Sequence, residues 1–316
     1  MTAAPSVTIG MPVHNGAEFL AAAVESILGQ THEDLELVVS DNGSSDGTPD
    51  LCADFARRDA RVRHLHSKEN RGAAWNYNRV FAESKGTHFK WAAHDDYLAP
   101  TFVERCADVL DRDPGTVLCF PATTIVDTAG QTVQSLDYTL DASDPDRVTR
   151  YRSFHRFFAS IRNFHCNPIF GLIRREALAQ TPRIGPFWGS DMVLLGELAL
   201  IGRFCEITEP LFFRREHPGR AMRVNRTIEE IAVWFDPTSR GLPRPRWRCL
   251  AEHFGAIGRI DMGLGERMAC RRVALRSARW RGMAKEARRT VSGWFLRNDD
   301  DEQPSSHAHH TPSAHA

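Results

Sequence analysis

Several features that would assign a 316-residue chain to a familiar class of protein are rare or missing here. No stretch approaches the roughly 18 uninterrupted apolar residues that a membrane-spanning helix needs. The first ten residues, MTAAPSVTIG, contain neither a basic nor an apolar region, so they lack the pattern of a secretory signal. The seven cysteines are scattered and form no CxxC pair, which argues against a disulfide framework and a zinc site. We therefore expect a cytoplasmic protein with reduced thiols.

The phosphate-binding loop of dinucleotide enzymes is also missing. No GxGxxG follows the first predicted strand, and MPVHNG cannot replace it, which argues against a dinucleotide dehydrogenase. No module of interleaved aromatic and basic residues accompanies the arginines, so nucleic acid is not an expected partner. Two other classes stay open at this point: a related nucleotidyltransferase, and a nucleotide-binding module without turnover.

What the sequence does contain is an alternation of strands and helices. Apolar residues make up 42% of the chain, which is ordinary for a soluble protein with a sizeable core. SVTIGMPV and LELVVSD are typical of buried strands, and AEFLAAAVESILGQ between them places its apolar residues on one helical face. Because the alternation continues, we predict an α/β fold with a mostly parallel central sheet and helices on both faces.

Three acids follow predicted strands directly. Asp41 ends LELVVSD, and Asp95 and Asp96 come just after THFKWAA. Ligands of such sheets bind beyond the carboxyl ends of the strands, so the three side chains are expected to converge on one crevice. Three carboxylates at one edge of a sheet repel each other, and the arrangement becomes reasonable if a divalent cation and a ligand bind there.

Four segments occur in an order and spacing that resemble a known family. They are TIGMPVHNGAEFLAAAVESILGQT, LELVVSDNGSSDGT, NRGAAWNYN and HFKWAAHDDYLAP. Together they resemble family 2 glycosyltransferases with the GT-A fold, over roughly residues 5 to 220. The resemblance implies a GT-A catalytic domain over residues 1–220, followed by a C-terminal helical appendage.

The resemblance also implies roles for individual residues. Asp191, in WGSD at a predicted helix start, matches the catalytic base of an inverting, non-processive enzyme. Asp95 and Asp96 match the family's metal motif, for Mn²⁺ or Mg²⁺, with His217 as a further candidate ligand. The nucleotide contacts implied are Pro12, Val13, Asn15, Asp41, Arg71 and Asp95.

The chemistry of sugar transfer needs these residue types. A nucleotide-sugar donor, for which UDP is expected, releases its sugar only if the developing charge on the diphosphate is neutralised, and a cation held by carboxylates can do this. The acceptor hydroxyl needs a base within hydrogen-bond reach, which would be Asp191. The transition state should resemble an oxocarbenium ion. Acceptors in glycan, glycolipid or cell-envelope biosynthesis all fit this reaction.

Two departures from the family pattern matter. The usual first acid of the metal motif is replaced by His94, so Asp96 is expected to make most of the metal contact, while Asp95 holds the ribose or a water. The QxxRW signature of processive synthases is missing, and so are their membrane helices, which favours a single-transfer enzyme.

Several of these residues also have purely structural interpretations. Asp191 could be an acid in the first turn of its helix, where it would stabilise the helix by about 1 kcal/mol without catalysis. Arg71 could pair with Glu69 or with an acid of the crevice. His217 could be a loop histidine beside cations, and Trp188 could pack against an acceptor sugar or close the core.

The C-terminal part differs in charge from the rest. Between Arg259 and Arg297, eleven Arg or Lys face three acids, although the whole chain has a formal net charge of zero. We predict a basic, amphipathic helical segment over residues 221–297 and a disordered, polar, His-rich tail over 298–316. The predicted apolar stripe comprises Val273, Ser277, Trp280, Ala284, Ala287, Val291 and Trp294. The segment could contact the inner face of the cell membrane, near a lipid-linked acceptor, or pack on the catalytic domain.

Overall fold

The computed structural model describes most of the chain, and its strands and helices belong to the unit that ends at Ala278. The described residues are 5–136, 139–160, 166–225, 227–240, 244–278 and 282–284.

Nine strands in the described residues form one sheet. Most are rich in β-branched and aromatic residues and end at turn-forming residues, as strand propensities favour. They are β1 (Val7–Val13), β2 (Leu35–Asn42), β3 (Val62–Ser67), β4 (His88–Trp91), β5 (Tyr97–Leu98), β6 (Thr116–Val126), β7 (Thr132–Ser135), β8 (Leu172–Arg174) and β9 (Arg203–Arg215).

The strand order is β3-β2-β1-β4-β8-β6-β9-β5, with β7 paired to β6. The first four strands are parallel to one another, and β6 is parallel to β9. The pairings β4–β8, β6–β8, β6–β7 and β5–β9 are antiparallel, so the second half of the sheet is mixed. The parallel half is the half whose strand ends carry the predicted nucleotide site.

The helices alternate with the strands as the sequence predicts. They are α1 (Ala17–Leu28), α2 (Thr48–Arg58), α3 (Ala73–Ala82), α4 (Phe102–Arg112), α5 (Arg147–Ser160), α6 (Arg175–Ala179), α7 (Ser190–Ile201), α8 (Ala221–Val224), α9 (Ile228–Phe235), α10 (Pro245–Arg259) and α11 (Leu264–Ser277), with a 3₁₀ turn at Asn167–Phe170. Among the described residues, no helix combines the length and the apolar character that crossing a bilayer requires.

Two apolar layers cover the two faces of the sheet. On one face, Leu20 of α1 and Phe102 of α4 pack with Ile9 of β1 in a fully buried cluster. On the other face, α3, α5 and α7 pack with Phe89 of β4, for example through Leu195. Both faces of the sheet are therefore covered by helices, which agrees with the near-continuous apolar strands.

The helices α10 and α11 pack on α5 and α7. Cys270, Val273 and Ala274 of α11 are buried against Tyr151 of α5 and Ile257 of α10. Of the apolar stripe predicted from the sequence, Val273 thus faces the protein interior. The later members Trp280, Ala287, Val291 and Trp294, and the predicted tail over 298–316, lie outside the described residues.

Candidate active site

The turn after β1 is tied to the loop after β2. Asn15 has a φ of 51°, in the left-handed region. Its N–H donates to Ser44 Oγ at 2.9 Å, and its Oδ1 accepts from the Ser45 N–H at 2.9 Å. Gly16 lies against the ring of His94, where a Cβ would come within 2.3 Å of Cδ2. Pro12, Val13 and Asn15 therefore lie between the two edges that carry the acids.

The first of these edges we call the open rim; it consists of Asp41, His64 and His66. Asp41 is the second-last residue of β2 and is fully buried, and its Oδ2 accepts from Nδ1 of His66 at 2.9 Å. Its Oδ1 accepts from the Ser44 N–H at 3.1 Å. The three donor side chains lie on neighbouring strands with their ligand atoms within 4.8 Å of one another. Nothing in the sequence analysis singled out the two histidines.

The loop after β3 is held rigidly beside the open rim. Asn42 Oδ1 accepts from the Arg71 N–H at 3.0 Å, and Asn42 Nδ2 donates to Asn70 Oδ1 at 2.9 Å. The guanidinium of Arg71 lies over the ring of Trp75, 4.3 Å from its centroid. This stacking holds the exposed arginine against α3.

The second edge we call the enclosed rim; it consists of Asp95, Asp96, His217 and Arg220. Nε2 of His217 donates to Asp95 Oδ2 at 3.0 Å. Asp96 Oδ1 accepts from the Arg215 N–H at 2.9 Å and lies 3.4 Å from Nη1 of Arg220. The pairing of β5 with β9 brings the loop after β4 to residues 215–220, about 120 positions later in the chain.

The two acids of the enclosed rim have opposite electrostatic environments. Burial by itself would raise the pKa of Asp95, but the hydrogen bond from His217 and the charges of His94 and Arg220 hold it well below its usual value. Burial and then the negative charge of Asp95 raise the pKa of Asp96 above its usual value. Two carboxylates this close cannot both ionise cheaply without a cation.

The side chains of the enclosed rim fit a bound Mn²⁺ or Mg²⁺. Asp96 Oδ2 is buried and has no hydrogen-bond partner among the described residues, so this oxygen is available as a metal ligand. Two carboxylates and an imidazole suit these hard cations, which also keep several waters. The open rim, with two imidazoles and one carboxylate, suits a softer ion such as Zn²⁺ better.

Strand β4 carries a buried lysine below the enclosed rim. The ammonium of Lys90 is fully buried and donates to the carbonyl of Trp91 at 3.0 Å and to that of Phe170. The rings of Phe102 and Phe212 surround it. Burial lowers the pKa of Lys90 to about 7. The hydrogen bond to Phe170 connects β4, the strand that precedes Asp95 and Asp96, to the 3₁₀ turn at Asn167–Phe170.

Asp191 lies in the first turn of α7, after Gly189 with its positive φ of 85°. Burial raises its pKa, against the lowering effect of hydrogen bonds from the thiol of Cys166 and from the Met192 N–H at 2.8 Å. The pKa of the Tyr77 hydroxyl depends both on this acid and on the two acids of the enclosed rim. Burial raises the pKa of Tyr77, and the negative charges of Asp95, Asp96 and Asp191 raise it further.

Some residues near the predicted acids were identified only from the structure. Arg220 and Tyr77 are each near several of the predicted acids, but neither belongs to a recognisable motif. The alternation of His64 and His66 on β3, opposite Asp41, was a signal that could have been used, since alternate strand residues share a face. Trp188 contacts α10, where its carbonyl accepts from the thiol of Cys249 at 3.3 Å.

Comparison with known proteins shows the family. The model of the family described as glycosyl transferase family 2 matches residues 8–181, more than half of the chain. The chain belongs to glycosyltransferase family 2. The matched segment contains the open rim and the two acids of the enclosed rim, and it ends before Asp191 and His217.

Relatives by sequence match less than half of this chain. An uncharacterized glycosyltransferase of Rickettsia felis is 31% identical over 133 residues, which is 41% of this chain and 21% of that protein. Glycosyltransferase GlyG of Streptococcus pneumoniae is 30% identical over 113 residues, or 35% of this chain and 38% of GlyG. The chain thus spans about a fifth to two fifths of the length of these two relatives.

Relatives by structure cover more of the chain. S. aureus TarS residues 1–349, solved in complex with UDP-GlcNAc, aligns with a TM-score of 0.62 and 12% identity, over 86% of this chain and 72% of that one. The mannosyltransferase PcManGT of Pyrobaculum calidifontis, solved with GDP-Man and Mn²⁺, aligns with a TM-score of 0.50 and 18% identity, over 95% and 81%. At these identities the similarity shows the GT-A fold.

Proposed function

We propose that the protein is a metal-dependent, inverting glycosyltransferase that moves a sugar from a nucleotide-sugar donor to an acceptor hydroxyl. The observation that carries this proposal is the enclosed rim, where His217 and Arg220 meet Asp95 and Asp96 and where Asp96 Oδ2 is buried without a hydrogen-bond partner among the described residues. Asp191, the candidate base, would lie at the same cleft as these ligands. Sugar transfer requires both groups around the same anomeric carbon.

The open rim and the turn after β1 would bind the nucleoside. Each oxygen of Asp41 accepts one hydrogen bond in the structure, and a carboxylate has about four acceptor sites, so it can still accept an N–H from a base. Backbone groups of Pro12 and Val13, with Asn15, would surround the base, and Arg71 would approach the nucleotide from α3. UDP is the expected nucleotide, and the UDP-GlcNAc complex of TarS supports it.

The enclosed rim would bind the diphosphate. Asp96, Asp95 and His217 would hold Mn²⁺ or Mg²⁺, which when bound stabilises the negative charge of the departing diphosphate. The guanidinium of Arg220, 3.4 Å from Asp96, adds positive charge on the same side. The Mn²⁺ in the structure of PcManGT supports a metal in this fold.

Asp191 would accept the proton of the acceptor hydroxyl. Burial raises its pKa, which makes the carboxylate a stronger base than an exposed aspartate. The thiol of Cys166 and the Met192 N–H hold the carboxylate in place. Attack from this side, opposite the departing diphosphate, inverts the configuration at the anomeric carbon.

The acceptor and the setting also belong to this proposal. A glycan or a lipid-linked acceptor fits, in polysaccharide or cell-envelope assembly on the cytoplasmic side of the cell membrane.

A thermal-shift experiment tests the nucleotide and the metal together. We expect UDP to raise the melting temperature only with Mn²⁺ or Mg²⁺ present, by an amount equivalent to about 3 kcal/mol at a hundred times its Kd. GDP and UDP-sugars form the comparison panel. A stabilisation by UDP that is equal with and without metal would contradict the metal role. Metal-dependent binding without transfer to any acceptor would point to a nucleotide-binding module.

A further inference from the structure

Helix α11 exposes large apolar side chains on the face opposite the one that packs on the protein. Leu264 is 77% exposed, Met268 is 42% exposed and Leu275 is 39% exposed. At 100° per residue, these positions fall within about 40° of one another around the helix. We call these three residues the exposed stripe. The buried residues Cys270 and Val273 lie on the far side.

Arginines flank the exposed stripe on both sides. Arg267 and Arg271 lie about 20° to 60° from Leu264 in one direction, and Arg272 and Arg276 lie about 80° to 120° from it in the other. None of the four forms an ion pair with a carboxylate among the described residues. Arg272 and Arg276 are exposed, whereas Arg267 and Arg271 are half-buried: Arg267 donates to the Ile260 carbonyl at 3.3 Å, and the guanidinium of Arg271 lies 5.8 Å from the ring centroid of Phe254. The fully exposed charge beside the apolar centre is therefore about +2, with two further arginines at its other edge.

The single acid of α11 does not reduce this charge on the exposed face. Glu266 is engaged at the start of the helix, where its Oε2 accepts from the Gly263 N–H at 3.0 Å, and it lies near Arg147 of α5. It therefore faces the protein side of the helix. A helix with one face packed on a domain and the other both apolar and basic is unusual for a surface in contact only with water.

We propose that the exposed stripe and its four arginines dock on an anionic lipid bilayer, with the helix axis parallel to the membrane plane. Leucine and methionine side chains in the centre would enter the boundary between headgroups and acyl chains, and the arginines on both sides would contact lipid phosphates. The sequence left open whether this segment contacts a membrane or packs on the catalytic domain, and the structure buries the face that contains Val273. The opposite face of the same helix is the one available to lipid.

Vesicle sedimentation of the full chain tests this proposal without donor or acceptor. We expect binding to vesicles of phosphatidylcholine with 30 to 50% phosphatidylglycerol, weakening as salt rises, and little binding to phosphatidylcholine alone. Leu264→Gln with Met268→Gln should lower the partition coefficient about tenfold or more. Arg272→Gln with Arg276→Gln should lower it by at least about tenfold on anionic vesicles.

Matched controls come from elsewhere on the surface. Val133 is an exposed apolar residue of β7 (63%), and Arg57 and Arg58 are exposed on α2. Val133→Gln and Arg57→Gln with Arg58→Gln should bind vesicles as the unmodified chain does. The proposal is overturned if anionic vesicles do not bind the chain, if neutral vesicles bind it equally, or if the α11 variants bind like the controls. Because no sugar transfer is measured, these outcomes are independent of the proposed reaction.

Discussion

The open rim and the enclosed rim contain similar side chains in different surroundings. In the open rim, Asp41 is buried but its partner His66 has a side chain that is 49% exposed. In the enclosed rim, the side chains of Asp95 and His217 are only 11% and 9% exposed. An acid–histidine pair close to water is suited to recognising a ligand that also touches water, such as a base at the edge of a cleft.

The enclosed rim is suited to binding a ligand that carries several charges close together. Its environment is of low dielectric, so each charge there acts more strongly than it would in water. Asp96 retains an oxygen without a hydrogen-bond partner among the described residues, whereas both oxygens of Asp41 have partners. The same residue types thus lie close to water in one rim and away from it in the other, a difference that fits the roles proposed for them in binding a base and a diphosphate.

The largest expected effect comes from replacing the candidate base, which lies outside both rims. Asp191→Asn removes the proton acceptor but leaves both rims intact, so transfer should fall by about 10³-fold while UDP affinity stays within about twofold. Initial rates of sugar transfer and calorimetric titration with UDP and Mn²⁺ measure the two quantities. The control is Asp111→Asn, an acid whose side chain is 69% exposed. Normal turnover of Asp191→Asn would show that another group is the base.

The next prediction tests which rim holds the metal. Asp96→Asn should abolish the Mn²⁺ dependence of UDP binding, because the variant loses a ligand of the enclosed rim. Asp41→Asn should keep the Mn²⁺ dependence and weaken UDP binding about tenfold, the value of one hydrogen bond to a charged group. Titration calorimetry with and without Mn²⁺ gives both results. The opposite pattern would place the ion among Asp41, His64 and His66.

The smallest expected effect concerns the lysine below the enclosed rim. The pKa of Lys90 is lowered by burial to about 7, against about 10.4 in an unfolded chain. At a pH between these two pKa values, the unfolded chain binds more protons at this lysine than the folded chain does. The free energy of unfolding therefore rises with pH. From pH 7 to pH 9 the unmodified chain should gain about 2 kcal/mol relative to Lys90→Met.

Urea denaturation at the two pH values measures this difference. The control is Lys85→Met, at an exposed lysine close by in sequence. The same pH dependence in the unmodified chain and in Lys90→Met would mean that the ammonium is not desolvated. The enclosed rim would then resemble the open rim in its access to water.

Much of the N-terminal half could be predicted from the sequence. Buried strands and amphipathic helices there have clear periodicities, and DNGSSDGT and HDD follow their strands directly. Because the strands are parallel and adjacent, their carboxyl ends meet at one edge, and the positions of Asp41, Asp95 and Asp96 follow from local pattern alone. Which face of α11 packs on the protein could not be predicted in the same way, since apolar residues occur on two sides of this helix.

The sequence by itself determined the family, the α/β alternation and the acids that follow β2 and β4, since these depend on short-range periodicity and recognisable loops. Only the tertiary structure decided which side chains surround those acids. His217 meets Asp95 across 122 positions of the chain, and Arg220 reaches Asp96 across 124. Such contacts depend on strand pairing between distant segments, which no local pattern specifies. The same holds for α11, where packing against α5 and α10 selected the buried face and left the other one exposed.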